Sequence, residues 1–387
     1  MKKNNNAKSS LKVNLTSILI IMTVVILISI PILKVLTFGT KGLTSDVLAD
    51  YYGHVELIIK GKTEGVWPSY PLFHFLVYVV ALGSDNVIYL SIVSIIVVTV
   101  LVIFKAVIYF FILDEEIQSK SKAVLITIAL LLVMPIFNWW GHKIYLGQIA
   151  PNVWHNPTTI IAMPLTLLLF FYSFKKLGSS KLLDYVIIGA LVVLNLLAKP
   201  NYLIAFLPVY FIVLLYKFLK NRDIKILIGM VIITLPSILT LVCQFILTYG
   251  NKETAGSSII FAPFIVWKKH SPNISASLLL SIAFPLLYFV LYFSKVKTNY
   301  KVIFSWAVFI LSLLQFCFLG ESGFRLAHGN FIWGAIISLN VLFLTTAADF
   351  FKQKFSGKYV LVLMTFLLHL ATGIYYCGYI ILGHGYY

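Results

Sequence analysis

The sequence predicts an all-α polytopic membrane protein with about eleven transmembrane helices and additional helices lying in the outer interface. Two features carry most of that reading. Of the 387 residues, 60% are hydrophobic and only 11% charged, and apolar runs of roughly 20 residues, the length that crosses a ~30 Å hydrocarbon core, recur along nearly the whole chain. The short alternating segments of a membrane β-barrel are missing. A third feature is charge: 19 of the 30 Lys and Arg fall in six clusters between those runs.

The first run, Leu15 to Leu36, is too long for a signal peptide and has no small-residue cleavage site, so it is expected to stay as an anchor. The six basic clusters are Lys2/Lys3/Lys8/Lys12, Lys120/Lys122, Lys175/Lys176/Lys181, Lys217/Lys220/Arg222/Lys225, Lys295/Lys297/Lys301 and Lys352/Lys354/Lys358. Basic residues collect in cytoplasmic loops, which accounts for the net charge of +17 without nucleic acid. Placing all six clusters inside requires one crossing between residues 71 and 113. Pro71 to Leu82, 12 residues, is too short to span and is expected to lie in the outer interface, while Val87 to Leu113 crosses. Further spans are expected near 123–137, 157–174, 185–198, 202–216, 226–247, 273–293, 302–319, 330–349 and 359–382. The chain reads as one domain, 1–387, with outer loops at 37–86, 138–156, 248–272 and 320–329. Cys243, Cys317 and Cys377 are scattered through apolar runs with no metal-ligand spacing and read as packing residues.

This topology sends the titratable groups to the outer side. Seven of the eight histidines fall there or at its edge, with Asp46, Asp50, Glu56, Glu64, Asp85, Glu253 and Glu321. Residues 45–59 read as an amphipathic helix. Leu48, Tyr51, Tyr52, Val55, Ile58 and Ile59 form one apolar stripe, and Asp46, Asp50 and His54, each four apart, form a polar row. Asp46 could equally serve the helix dipole in its first turn, and Asp50 and His54 a solvated face. A partly desolvated carboxylate at this depth is also a suitable general base for a hydroxyl, which makes Asp46 and Asp50 the catalytic candidates.

The pattern resembles the membrane glycosyltransferases of the GT-C class. It rests on Asp46, Asp50, Gly61, Tyr70-Pro71-Leu72 and Gly83 in the loop after the first span. Gly147-Gln148 before a span and Ala198-Lys199-Pro200 before another resemble the polyprenyl-phosphate-mannose-dependent mannosyltransferases of that class. The likeness covers residues 15 to about 216; beyond it the chain matches only as a run of spans. It implies transfer of a sugar from a polyprenyl-phosphate donor to a glycan or lipid hydroxyl at the outer face of the cell membrane, with Asp46 as base. The class often has adjacent paired acids, whereas Asp46 and Asp50 are one helical turn apart. The expectation is metal-free chemistry with no cofactor, and a divalent ion on Asp46, Asp50 and His54 is the alternative.

The remaining candidates bind substrate. Lys199 precedes Pro200 where two short spans meet, which suits a lipid phosphate or a snorkelling lysine. Arg325 in GESGFRLAHGN, residues 320–330, suits a bidentate phosphate contact or an ion pair with Glu321, and His328 lies beside it. In 138–157, NWWGHKIYLGQIAPNVWHNP, Trp139 and Trp140 read as interfacial anchors, and Gln148, His155 and Asn156 as sugar or donor contacts. His54 and Tyr70 complete the set. Two other functions compete. A polysaccharide polymerase or ligase would carry a longer, more basic outer loop. A flippase or transporter would carry ionisable groups within its spans, where only Lys105 and His369 stand out. An acyltransferase using His369 ranks last.

Overall fold

A computed structural model of the chain describes residues 2–39, 50–139, 144–250 and 258–385, with side chains from residue 14 onward. Asp46, Trp140, His142 and Glu253 lie outside the described residues. The protein is an all-α polytopic membrane protein. Its helices are α1 (Lys2–Phe38), α2 (Tyr51–Glu64), α3 (Leu72–Val80), α4 (Val87–Ile117), α5 (Lys120–Leu132), α6 (Pro157–Lys175), α7 (Leu182–Ala198), α8 (Asn201–Asn221) and α9 (Ile224–Tyr249). They continue as α10 (Ile265–His270), α11 (Ile274–Leu291), α12 (Phe293–Val296), α13 (Tyr300–Phe318), α14 (Ile332–Phe350) and α15 (Gly357–Ile381). Strands β1 (Ile259–Phe261) and β2 (Leu319–Glu321) pair antiparallel, with Ile260 opposite Gly320.

Nine helices among the described residues are long and apolar enough to cross a membrane. The expected eleven spans each have a helix, but α5 with 13 residues and α7 with 17 are shorter than a ~20-residue crossing. The physical reason lies in two prolines. Pro135 pushes the residues before it out of helical conformation, and α5 stops at Leu132. Segment 133–137 then wedges between α11 and α15: Met134 N–H donates to His369 O at 3.1 Å, and Ile136 N–H to Leu280 O at 3.1 Å. Pro200 stops α7 at Ala198 in the same way, and α8 restarts at once.

The bundle has two chemically different ends. At one end Glu116 receives Lys301 and Lys352, both at 2.8 Å, and Lys176 meets Asp184 at 3.1 Å. Lys301 also lies 5.9 Å from the Phe171 ring, which brings the α6 terminus to the same place. The basic clusters from Lys120 onward therefore share one end. At the other end lie α2, α3, α10, the β1–β2 ribbon and the segment 144–156. Helix α14 runs down the centre; every residue from Gly334 to Phe350 is buried.

Segment 144–156 is irregular yet largely buried, which a membrane protein tolerates only where the backbone polar groups find partners. Asn340 Nδ2 donates to Pro151 O at 2.8 Å and Ile149 N–H to Ser281 Oγ at 3.0 Å, while the segment's own Asn152 Nδ2 donates back to Leu130 O and Val133 O at 2.8 and 2.9 Å. Lys105 Nζ donates to Asn152 Oδ1 at 2.9 Å, and the His369 ring spans Met134 O at 2.7 Å and Phe284 N–H at 3.3 Å. Lys105 and His369 thus hold irregular segments in place, the first through the Asn152 side chain and the second through Met134 O.

Two outcomes follow from this packing. A Cβ on Gly373 would stand 1.7 Å from Leu132 O, where the wedge passes α15, whereas one on Gly378 meets nothing within 4 Å. Gly373→Ala should cost roughly 1–3 kcal/mol, as overpacking does, and lower the unfolding temperature in detergent, while Gly378→Ala should not. Cysteines placed at Ser84 and Ser119 stand at opposite ends of α4, so a membrane-impermeant maleimide should label one and not the other in intact cells.

Candidate functional site

A cavity of about 550 Å³ opens at the end opposite the basic clusters. Its base is made by the starts of α2 and α6 and by the α7–α8 junction. Asn156 is the N-cap of α6, its side chain accepting from Thr159 N–H at 3.0 Å, with Pro157 preset for the first helical position. The Oδ1 that caps the helix also accepts from Lys199 Nζ at 3.0 Å and from the hydroxyls of Thr158 and Thr159 at 2.8 Å each. Four donors on that oxygen fix the amide's orientation, and its NH2 turns to Asp50, donating to Oδ2 at 2.6 Å. Asp50 stands at the N-cap position of α2 but makes no cap bond. It forgoes a contribution typically near 1 kcal/mol and directs its carboxylate into the cavity wall.

Lys199 is 4% exposed. Its ammonium donates to Asn156 Oδ1 and to Thr158 Oγ1, both at 3.0 Å, and lies 4.2 Å from the Trp333 ring centroid. Among the described residues no carboxylate approaches within ion-pair distance. Burial pulls its pKa down to about 7, against the opposing pull of Asp50. Lys199 and Asp50 are thus two opposite charges joined through one neutral amide.

Three buried histidines, His54, His74 and His155, are held neutral. His54 Nδ1 meets His74 Nε2 at 2.8 Å, and His74 is fully buried with Nδ1 unpartnered among the described residues. An unpartnered lone pair costs less than an unpartnered N–H. The favoured arrangement has His74 Nε2–H donating, which leaves His54 Nε2–H as a donor beside the cavity. Burial holds His54 well below the usual imidazole range, helped by His74 and Lys199, and puts His74 at about 4. His155 is pushed to about 3 by burial and by Lys199.

The far wall is 144–148 against α10. Gly147 takes φ +89°, and a Cβ there would lie 2.3 Å from His270 O. Trp267 Nε1–H donates to Gly147 O at 2.8 Å, and Gln148 Nε2 donates to Ile136 O at 3.1 Å. Buried Gln148 Oε1 has no partner among the described residues.

The structure gathers Asp50, His54, Tyr70, Gln148, His155, Asn156, Lys199 and His328 around this cavity. It also places two details of the expected 45–59 helix. The described part begins at Tyr51, and its stripe of Tyr51, Val55 and Ile58 is buried, while Tyr52 faces outward. Asp50 and His54 turn toward the cavity, where a solvated face was the alternative. Arg325 takes the second of its two expected roles: it pairs with Glu321 at 2.8 Å and lines a smaller adjoining space of about 160 Å³. Glu321 also accepts from Tyr249 at 2.7 Å and from Asn330. Glu56 and Glu64 are exposed, and Asp85 pairs with Lys62 at 3.0 Å on the surface. Among the described residues no three His, Cys, Asp or Glu side chains form a metal cluster; the Asp46, Asp50 and His54 alternative includes a residue outside them.

Trp333, Trp267, Thr158, His74 and Asn330 contribute without having been singled out. His74 carried one usable signal, a lone polar residue in the apolar run LFHFL. No family model matches the chain, and no curated protein matches it.

The Lys199–Trp333 contact is open to measurement. Lys199 should be charged below pH of about 7 and neutral above it, where the cation over the ring is lost. Intrinsic fluorescence of the wild type minus that of Trp333→Phe should change with a midpoint near that pH, and the transition should vanish in Lys199→Met. A flat difference through neutral pH would refute the assignment.

Proposed function

We propose that the protein is a membrane glycosyltransferase that moves a sugar from a polyprenyl-phosphate donor to an acceptor hydroxyl of a glycan or lipid. The observation that carries this reading is the base of the cavity: a carboxylate and a lysine that form no ion pair among the described residues, held apart by one amide, at the end away from the basic clusters. By the rule that basic loops stay in the cytoplasm, that end is extracytoplasmic, in keeping with a cell-membrane enzyme whose substrates arrive from the outer leaflet.

The chemistry follows from the roles these groups can take. The acceptor oxygen attacks the anomeric carbon, the bond from that carbon to the phosphate oxygen breaks, and the electron pair leaves with the phosphate. The acceptor's proton passes to a carboxylate. A single displacement of this kind inverts the anomeric centre. Asp50 is the base among the described residues; Asp46, one turn earlier in sequence, is the other candidate. Lys199, protonated, offsets charge on the leaving phosphate. Its lowered pKa lets an arriving anion draw a proton onto it, so binding and protonation are linked. Gln148 Oε1 and His54 Nε2–H supply one acceptor and one donor for sugar hydroxyls. Trp267 and Tyr145 offer aromatic faces in the same cavity.

The span interiors favour an enzyme over a proton-coupled carrier. Lys105 and His369 are committed to loop backbone and to Asn152, so neither stands on a path through the bundle.

Purified protein supplied with polyprenyl-phosphate sugars and an acceptor should transfer sugar. Asp50→Asn should lower kcat by on the order of 10²- to 10⁴-fold, the range of a lost general base, with normal membrane insertion. Lys199→Met should both lower kcat, through the lost stabilisation of the leaving phosphate, and raise KM for the donor. If Asp50→Asn retains activity and Asp46→Asn does not, the base is Asp46. Absence of transfer from every lipid-linked donor would overturn the function.

A further inference from the structure

We infer that the lipid tail of the donor lies in the lateral groove between α8 and α9, with its phosphate at the Lys199 end; this rests on the proposed function. The groove has a volume of about 490 Å³ and is lined almost wholly by apolar side chains, among them Leu207, Tyr210, Phe211, Met230 and Ile233. It is not an isolated dent in the surface. Its upper end shares Ile204 and Leu241 with the 160 Å³ space beside Arg325. That space in turn shares Tyr70, Lys199, Asn330 and Trp333 with the large cavity. Three spaces therefore run in series: polar cavity, cationic neck, apolar groove.

The order of chemistry along this series matches one kind of molecule. A sugar phosphate carried on a single hydrophobic chain presents hydroxyls, then an anion, then hydrocarbon. The neck supplies Lys199 and Arg325 on its walls, with Glu321 balancing only Arg325. From Leu203 to Leu214 the groove follows α8 for about 17 Å at 1.5 Å per residue. This is over half of a ~30 Å hydrocarbon core, and the direction is that of a lipid chain. A water-soluble nucleotide sugar would have no use for the groove.

Both walls carry a proline, Pro208 in α8 and Pro236 in α9, each of which removes one rung from its helical ladder. The carbonyl freed by Pro208 is that of Ile204, at the junction of groove and neck, and Gln315 Nε2 on α13 takes it at 3.2 Å. The irregular wall is thus fixed where the headgroup must turn. In a bilayer the tail gains no hydrophobic energy by entering, since lipid surrounds it on either side. The groove acts by position: it lets the phosphate reach Lys199 while the chain stays at membrane depth.

Thr234 lines the groove, and Thr234→Trp should fill it; Ile246, exposed on α9 away from it, gives the control Ile246→Trp. With a long-chain donor, Thr234→Trp should lower kcat/KM roughly ten- to hundred-fold, as misplacement of a reacting group does. With a donor truncated to a short prenyl chain the loss should be much smaller. Ile246→Trp should alter neither. Equal losses on both donors, or none on either, would overturn the groove assignment while leaving the transferase reading intact. A second measurement does not depend on transfer. A prenyl phosphate carrying a photoreactive tail end should crosslink to α8 and α9, and unlabelled prenyl phosphate should compete. Labelling spread over α1 and α15, or competed equally by a two-tailed phospholipid, would identify ordinary surrounding lipid instead. Specific crosslinking without transfer would sink the enzyme and keep the groove.

Discussion

The side chain of Asn156 is the point on which the functional end of this protein turns. One oxygen of its amide closes the first turn of α6 and receives Lys199, and its nitrogen holds Asp50. An ammonium and a carboxylate brought into direct contact in a buried site would satisfy each other and offer little to a ligand. A neutral amide between them keeps both charges within reach of the cavity while giving each a hydrogen-bond partner. Full removal of either charge from water would cost several kcal/mol. The cavity side and the Trp333 face reduce that cost for Lys199, and its lowered pKa is what remains of the penalty. A substrate anion that restored the proton would complete a site otherwise short of negative charge on one side.

That arrangement depends on irregular backbone placed deep in a helical bundle, which is the harder structural problem. Segments 133–137 and 144–156 cannot satisfy their own amides. Asn152, Asn340 and His369 bond carbonyls of these segments and of the end of α5, and Lys105 fixes the Asn152 side chain. The comparison of the two buried lysines is instructive. Lys105 and Lys199 each donate to an asparagine side chain, Asn152 and Asn156, only four residues apart. The first is enclosed and reinforces the loop. The second opens on a cavity and carries a ring on one face. Burial alone does not distinguish scaffold from site; access does.

Much of this was legible in the sequence because it is local. Apolar runs gave the helices, basic clusters gave the two ends, and the alternation of ends gathered the histidines and carboxylates on one side. Lys-Pro at 199–200 read correctly as the place where one helix stops and the next starts, and the span expected near 157–174 begins at Pro157. What escaped was set by contacts between distant residues. Pro135 marked a break in the fifth helix, but the wedge that segment 133–137 then drives between α11 and α15 is displayed by no window of sequence. Trp333 looks like any interfacial tryptophan until α7 and α8 bring Lys199 over it. The choice between phosphate and Glu321 for Arg325 depends on Tyr249 and Asn330, which hold the glutamate in place from another helix and another turn. The amphipathic stripe placed Asp50 inside a helix, whereas its carboxylate leaves the helix to reach a residue 106 positions later.

The central helix explains why these distant parts meet at a single end. Helix α14 is buried along its length, so its neighbours α4, α6, α8, α11 and α13 are fixed around one axis. Its buried residues include Ser338, Asn340 and Thr345, which pair with neighbouring backbone or with a facing hydroxyl rather than with lipid. A helix that cannot face the bilayer must be surrounded, and surrounding it brings the starts of α6 and α8 and the end of α13 to its amino terminus. Trp333 sits at that terminus. Several residues bordering the cavity, among them Asn156, Lys199 and Phe316, are consequently at or beside the ends of elements packed on α14, and the outer helices α1 and α15 contribute none. The same logic sets the open side. Helix α9 packs chiefly on α7 and α8, and the groove along the α8–α9 seam is lined by residues of those two helices.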